Sequence, residues 1–259
     1  MAERTVGFVG GGRVVRILLG GWQRAEAVPA TVAVYDPDPS VLERTKELWP
    51  RLEASATSAD VASKQDVVFL AVHPPAMRDA AETVREKLRP DAIVVSLAPK
   101  FSISTLREML AGFDRLARVI PNAPSIIGRG YNPVSYSAAL GETDRHTVQR
   151  LFQPLGQSPV VDEPTLEAYA VCVAMGPTYF WPPMRALLEL ARSFGLSDGE
   201  ARTSLQAMLV GAAELLWASD LAPSAVEDLI PVQPLADDLE PLMDAYRTKL
   251  TALWEKLRS

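Results

Sequence analysis

Short apolar runs alternate with segments of helical periodicity from the start of the chain to about Asp162. Val6-Gly-Phe-Val reads as a first strand, and residues 13–22 read as a helix behind it. A second strand over 31–35 stops at Asp36-Pro-Asp-Pro, and Ser40 stands where it would cap a helix over 41–49. The runs at 66–72 and 92–97 are apolar without alternation, the pattern of parallel strands covered on both faces. A further strand around Arg118-Val-Ile leads into Pro121-Asn-Ala-Pro. Strands separated by helices require right-handed crossovers, so the pattern predicts an α/β fold with a doubly wound sheet.

Beyond Asp162 the strand signals stop. Helical periodicity covers 166–178, 180–194, 198–219, 222–230 and 237–258. Gly195 suits the end of one helix, and Ser197-Asp-Gly-Glu opens the next with a capping residue and an acidic first turn. The expected division is a domain over 1–162 and an all-helical domain over 163–259. Met208, Leu209, Leu215, Leu216 and Trp217 recur at helical spacing and suggest a subunit interface, hence a homodimer or higher homo-oligomer. Tyr179-Phe-Trp-Pro-Pro-Met lines a substrate pocket or a dimer seam, or simply packs around a proline kink.

Composition narrows the classes. With 259 residues, 48% of them hydrophobic, the chain can bury a sizeable core without disulfide staples. A net charge of −6 carries no nucleic-acid footprint. One cysteine, Cys172, excludes an intramolecular disulfide, suits a reducing compartment, and in its apolar run reads as inert packing. The longest uncharged stretch, 168–184, is interrupted by Gly176, Pro177, Pro182 and Pro183 and makes a poor membrane span. The chain runs into its first strand with no room for a signal peptide, so a cytoplasmic protein without membrane or nucleic-acid partners is expected. Two distant histidines and one cysteine give no metal-ligand spacing.

Chemistry concentrates at strand ends. Gly10-Gly-Gly-Arg-Val-Val fits G-x-G-x-x-small with Val15 in the third position, and it follows a strand and opens a helix. Glycine lets the backbone approach a pyrophosphate, and the free amides of the helix end face its charge. Asp36 closes the second strand, where a carboxylate accepts bonds from ribose hydroxyls; with Asp38 it repels a 2′-phosphate, so NAD(H) is favoured over NADP(H), although Arg44 lies within reach of a phosphate. His73 and Lys100 also follow strands, each with a structural or solvated role as the alternative. There is no lysine between Lys100 and Lys249 and no histidine after His146, so the helix-borne acid/base of hydroxyacid dehydrogenases is lacking. The polar candidates for facing the nicotinamide are Thr178, Tyr179, Asp220 and Asp237; a packed tyrosine and solvated helix-end carboxylates are the competing readings.

Gly7-Phe-Val-Gly-Gly-Gly, Val34-Tyr-Asp-Pro-Asp-Pro, Val68-Phe-Leu-Ala-Val-His-Pro, Ser96-Leu-Ala, Ile120-Pro-Asn-Ala-Pro and Gly176-Pro-Thr-Tyr-Phe resemble, in order and spacing, the pyrroline-5-carboxylate reductase family. Gly211-Ala-Ala-Glu-Leu-Leu and Val226-Glu-Asp-Leu-Ile carry the resemblance into the helical half. It implies a Rossmann domain, a helical dimerisation domain, and nicotinamide-dependent reduction of a cyclic imine at a site where the helical domain of one subunit meets the cofactor domain of its partner. By position, Val9, Gly10, Gly11, Gly12, Arg13 and Val14 would form the phosphate loop, and Asp36 would meet the ribose. Ala71, Val72, His73, Pro74, Ser96, Leu97 and Ala98 would line the cofactor crevice, Asn122 would lie near the nicotinamide, and Asp220 would border the substrate pocket. Two segments depart from the family. Ser-Gly-Ser-Gly-Pro-Ala-Tyr is replaced by Val173-Ala-Met-Gly-Pro-Thr-Tyr, and the Ser-Pro-Gly-Gly-Thr-Thr loop by Pro231-Val-Gln-Pro-Leu-Ala-Asp-Asp. The resemblance therefore implies a reductase with a changed substrate pocket; true pyrroline-5-carboxylate reduction and a non-catalytic dinucleotide sensor or assembly protein are the alternatives.

Overall fold

A computed structural model describes residues 4–258, which form two compact units. The first runs through Met175 and takes in the end of the chain from Trp254; the second is Gly176–Leu253. The division falls after Met175 rather than at 162/163, because Glu163 and Glu167 are ion-paired to Arg118 inside the first unit.

The first unit is organised by strands β1 (Val6–Val9), β2 (Val32–Tyr35), β3 (Glu53–Ser55), β4 (Val67–Leu70), β5 (Ile93–Ser96), β6 (Leu116–Val119), β7 (Gly130–Tyr131), β8 (Val134–Tyr136) and β9 (Gly156–Gln157). Seven of them form one sheet in the order β3-β2-β1-β4-β5-β6-β8, parallel except for the antiparallel β6–β8 pair; β7 and β9 pair separately. Val6 faces Val32 on one side and Val67 on the other, so β1 is an interior strand, beside the central β4. Helices α1 (Arg13–Arg24), α2 (Pro39–Leu48), α3 (Asp60–Ser63), α4 (Met77–Val84), α5 (Ile103–Met109), α6 (Glu142–Phe152) and α7 (Leu166–Tyr169) complete the crossovers and edges. This is the doubly wound α/β architecture expected from the pattern, with an apolar layer on each sheet face. Phe8, Trp22, Phe69 and Phe152 lead one layer, with Phe8 and Phe69 stacked at 4.9 Å between ring centroids. Leu70, Met77, Val94 and Leu106 lead the other.

Two local readings change. Helix α2 begins at Pro39 and is capped by Asp38, whose carboxylate accepts from Ser40 N at 2.9 Å; Ser40 lies inside the helix. The helical segment read over 166–178 is broken: α7 gives way to a wide π-type turn at Ala170–Ala174, and a new helix starts at Pro177.

Burial of the Tyr136 phenol on β8 pushes its pKa from 10.0 up to about 12, against the opposing pull of Arg145. The stability linked to this neutral phenol is complete below the unfolded value and is lost as pH rises from there through the folded value. Urea midpoints at about pH 9 and about pH 11 should therefore separate more in the wild-type protein than in Tyr136→Phe.

The second unit holds α8 (Pro177–Ser193), α9 (Asp198–Ala218), α10 (Pro223–Asp228) and most of α11 (Ala236–Arg258). Ser197 and Glu200 form a capping box at the start of α9, and Gly195 takes φ +101 just after α8. Tyr179 and Tyr246 meet edge-to-face at 5.9 Å. Large apolar side chains stay exposed, among them Trp181, Phe194, Trp217 and Ile230. Among the described residues, no helix is long and apolar enough to cross a membrane.

Candidate functional site

The turn from β1 into α1 is built from three glycines with different constraints. Gly10 has φ +98, and a Cβ there would stand 2.7 Å from the Ala71 carbonyl oxygen at the end of β4. Gly11 is wedged against Val34 and Val41. Gly12 faces open space and forms the N-terminal cap of α1 without any side-chain capping bond. Its lack of a side chain leaves the first-turn amides available to an external acceptor.

Side chains hold this loop from behind. Asp36 Oδ2 accepts from Gly11 N at 2.8 Å, and its Oδ1 accepts from Asp38 N at 2.9 Å. The buried Thr45 hydroxyl donates to Gly11 O at 3.1 Å, and Gly10 N donates to Tyr35 O at 2.7 Å. Asp36 therefore braces the loop as well as facing the groove. The bonds to Ser40 hold the carboxyl of Asp38 below its ordinary value, so it stays charged beside Asp36.

The loop opens onto a groove of about 910 Å³. The groove brings together Val9, Gly10, Gly11, Gly12, Arg13, Val14, Asp36, Ala71, Val72, His73, Pro74, Leu97 and Ala98. Three cations, Arg13, Arg16 and Arg44, share the lining with Asp36. At the strand ends after β5 and β6 the lining is apolar: Leu97, Ala98, Pro99, Ile120 and Pro121, faced by Ala170, Ala174 and Met175 of the wide turn.

Two expected lining residues stand elsewhere. Ser96 is buried within β5, its hydroxyl accepting from Ala98 N, because alternation turns its side chain into the sheet layer. Asn122 is buried as a brace: its side-chain oxygen accepts from Tyr131 N at 3.1 Å and fixes the turn whose neighbours Pro121 and Ala123 line the groove. Cys172, read as inert packing, is exposed on the wide turn.

Of the four catalytic candidates, all in the second unit, Thr178 lines a separate cavity of about 530 Å³ along α8 with Trp181 and Arg185. The Tyr179 carbonyl accepts from the Tyr246 hydroxyl at 3.4 Å. Asp220 is exposed between α9 and α10, and Asp237 is exposed in the first turn of α11. Thr45 and Arg16 belong to the site without having been signalled by any motif, and Met175 comes from the segment in which the family's serines are replaced.

The groove fits a dinucleotide: a close glycine approach, an uncapped helix end and a carboxylate at the end of β2 stand at the carboxyl ends of parallel strands. Residues 5–100 match the family model described as NADP oxidoreductase coenzyme F420-dependent. Pyrroline-5-carboxylate reductase of Escherichia coli is 24% identical over 229 residues, 88% of this chain and 85% of that one. The enzyme of that name from Pseudomonas aeruginosa is 27% identical over 86% of this chain and 82% of its own length. In fold, the chain resembles the crystal structure of Plasmodium falciparum pyrroline carboxylate reductase with NADP bound, at TM-score 0.79 and 20% identity, covering 100% of this chain and 98% of that one.

Proposed function

We infer that the chain is an NAD(P)-dependent oxidoreductase of the pyrroline-5-carboxylate reductase type that transfers hydride to a C=N bond. The observation that carries this reading is the glycine loop held by Asp36 and Thr45 at the mouth of a groove with an apolar far end. In this reading the first unit is the dinucleotide-binding domain. The second is the substrate and dimerisation domain, and its exposed Trp181, Phe194 and Trp217 support a homodimer.

A bound nicotinamide cofactor supplies the hydride. The first-turn amides of α1, helped by Arg13 and Arg16, would hold the pyrophosphate, and Asp36 would accept from the ribose with lone pairs its backbone bonds leave free. Leu97, Ala98, Pro121 and Met175 exclude water from the reacting end. Since that wall offers no proton donor, the acceptor that suits it carries its own proton, as an iminium does. The charges of Asp36 and Asp38 favour NADH over NADPH. Segment 231–238 has neither glycine nor threonine and ends in Asp237 and Asp238, which suits a substrate without an α-carboxylate or with a cationic group. Pyrroline-5-carboxylate itself is the second reading, favoured by the names of the relatives that match along most of the chain. A cytoplasmic setting suits the single cysteine.

Fluorescence titration with NADH and NADPH, followed by addition of 1-pyrroline-5-carboxylate, tests the reading. NADH is expected to bind about tenfold more tightly, and turnover of the added imine to be slow. Tighter NADPH binding refutes the cofactor preference, rapid turnover establishes the second reading, and no binding of either nucleotide refutes the function.

A further inference from the structure

Arg118 lies in β6 between Ser96 of β5 and Ser135 of β8, and its side chain is only 2% exposed. Its Nη1 donates to Glu163 Oε1 at 2.9 Å and its Nη2 to Glu167 Oε1 at 2.5 Å. Its Nε finds no partner among the described residues. Each of those carboxylate oxygens accepts a second bond. Ile103 N donates to Glu163 at 2.6 Å, and Lys100 N donates to Glu167 at 3.1 Å. Lys100 takes φ +87, a conformation costly for a lysine that persists only where the surroundings over-determine it.

One guanidinium thus ties together β6, the turn from β5 into α5, and the segment that runs through α7 into the wide turn. Two of these segments carry the apolar end of the groove: Leu97, Ala98 and Pro99 on the first, Ala170, Ala174 and Met175 on the second. An ion triad around a buried guanidinium, here with Glu167 buried and Glu163 partly exposed, is a poor way to gain stability, since apolar groups of similar volume often serve as well. It does fix separations and angles, because the planar fork of arginine binds carboxylates in a set direction.

We propose that Arg118 is a positioning residue that, through Glu163 and Glu167, sets the spacing of the two walls between which the nicotinamide packs. The proposal rests on the reading of the groove as a dinucleotide site. It separates the cofactor into two parts. The pyrophosphate half depends on the glycine loop, which Arg118 does not touch, and the nicotinamide half depends on the walls it ties together.

The test compares NADH with ADP-ribose, which keeps the pyrophosphate and lacks the nicotinamide, on the whole protein carrying Arg118→Lys or Glu167→Gln. Wild-type protein should bind NADH more tightly than ADP-ribose. In both variants ADP-ribose affinity should stay within about twofold while the advantage of NADH falls by about tenfold or more. The emission of bound NADH should shift toward that of the free cofactor in parallel. Glu167→Gln keeps the shape and an accepting oxygen, so it decides the matter if Arg118→Lys does not fold. An unchanged NADH advantage, or an equal loss for both probes, overturns the proposal while leaving the dinucleotide site intact. Wild-type protein that binds neither probe overturns the dinucleotide reading and this proposal together.

Discussion

Gly10→Ala is expected to weaken dinucleotide binding by more than about a hundredfold. The added methyl would stand 2.7 Å from the Ala71 oxygen and 2.9 Å from its carbonyl carbon, and both atoms belong to backbone anchored at the end of β4. No flexible side chain can yield, so the loop must move. A φ of +98 adds strain of about 1–3 kcal/mol for a residue with a Cβ. Movement of Gly10 drags Gly11 away from Asp36 and Thr45 and tilts the amides that open α1. Titration with NADH measures the loss, and urea unfolding without nucleotide measures the strain. Gly12→Ala is the control for the second readout: its Cβ meets nothing within 4 Å, so the midpoint should hardly change. Equal midpoints for the two variants would contradict the geometry given to this turn.

Trp22→Ala should lower the stability of the first unit by about 3–5 kcal/mol. Trp22 is completely buried in α1, packs on Phe8 and Phe69, and donates its indole N–H to Leu151 O at 2.6 Å. Alanine removes the packing and leaves the carbonyl of α6 without its donor. Trp22→Phe keeps most of the packing and isolates the cost of that carbonyl, about 1–3 kcal/mol. Guanidinium unfolding followed by circular dichroism reads both. If phenylalanine proves as damaging as alanine, the hydrogen bond outweighs the packing. An undisturbed midpoint in Trp22→Ala would mean that α1 is not anchored as described.

The central strands were legible because each is covered on both faces and therefore continuously apolar: 67–70 and 93–96 stand out from the sequence without help from tertiary context. The glycine loop was legible because its constraint is local, a turn between a strand and the helix that follows it. Edge strands were not. Glu53-Ala-Ser and Val134-Ser-Tyr are short and half-polar, and what makes them strands is a neighbour's free edge. The break at Ala170–Ala174 was hidden because Ala-Val-Cys-Val-Ala keeps the composition of a helix while its hydrogen bonding widens. Ser96 and Asn122 carry the residue types of the motif but point away from the groove, and side-chain direction follows from register and turn geometry rather than from identity. The hidden triad is separated by 45 and 49 residues, so no local pattern could have joined its members.

The place of β1 governs the order in which the molecule can assemble. Its two neighbours arrive from very different distances along the chain: β2 soon after, β4 only once the intervening crossover has closed. Gly10 rests against Ala71 at the end of β4, so the glycine turn has no wall to form against until that distant strand docks. Pairings of high sequence separation are the slow events of folding, because the entropy of closing the loop is lost before any contact compensates it. The glycine turn is thus expected to take its final shape late in folding, in the step that docks β4 against β1.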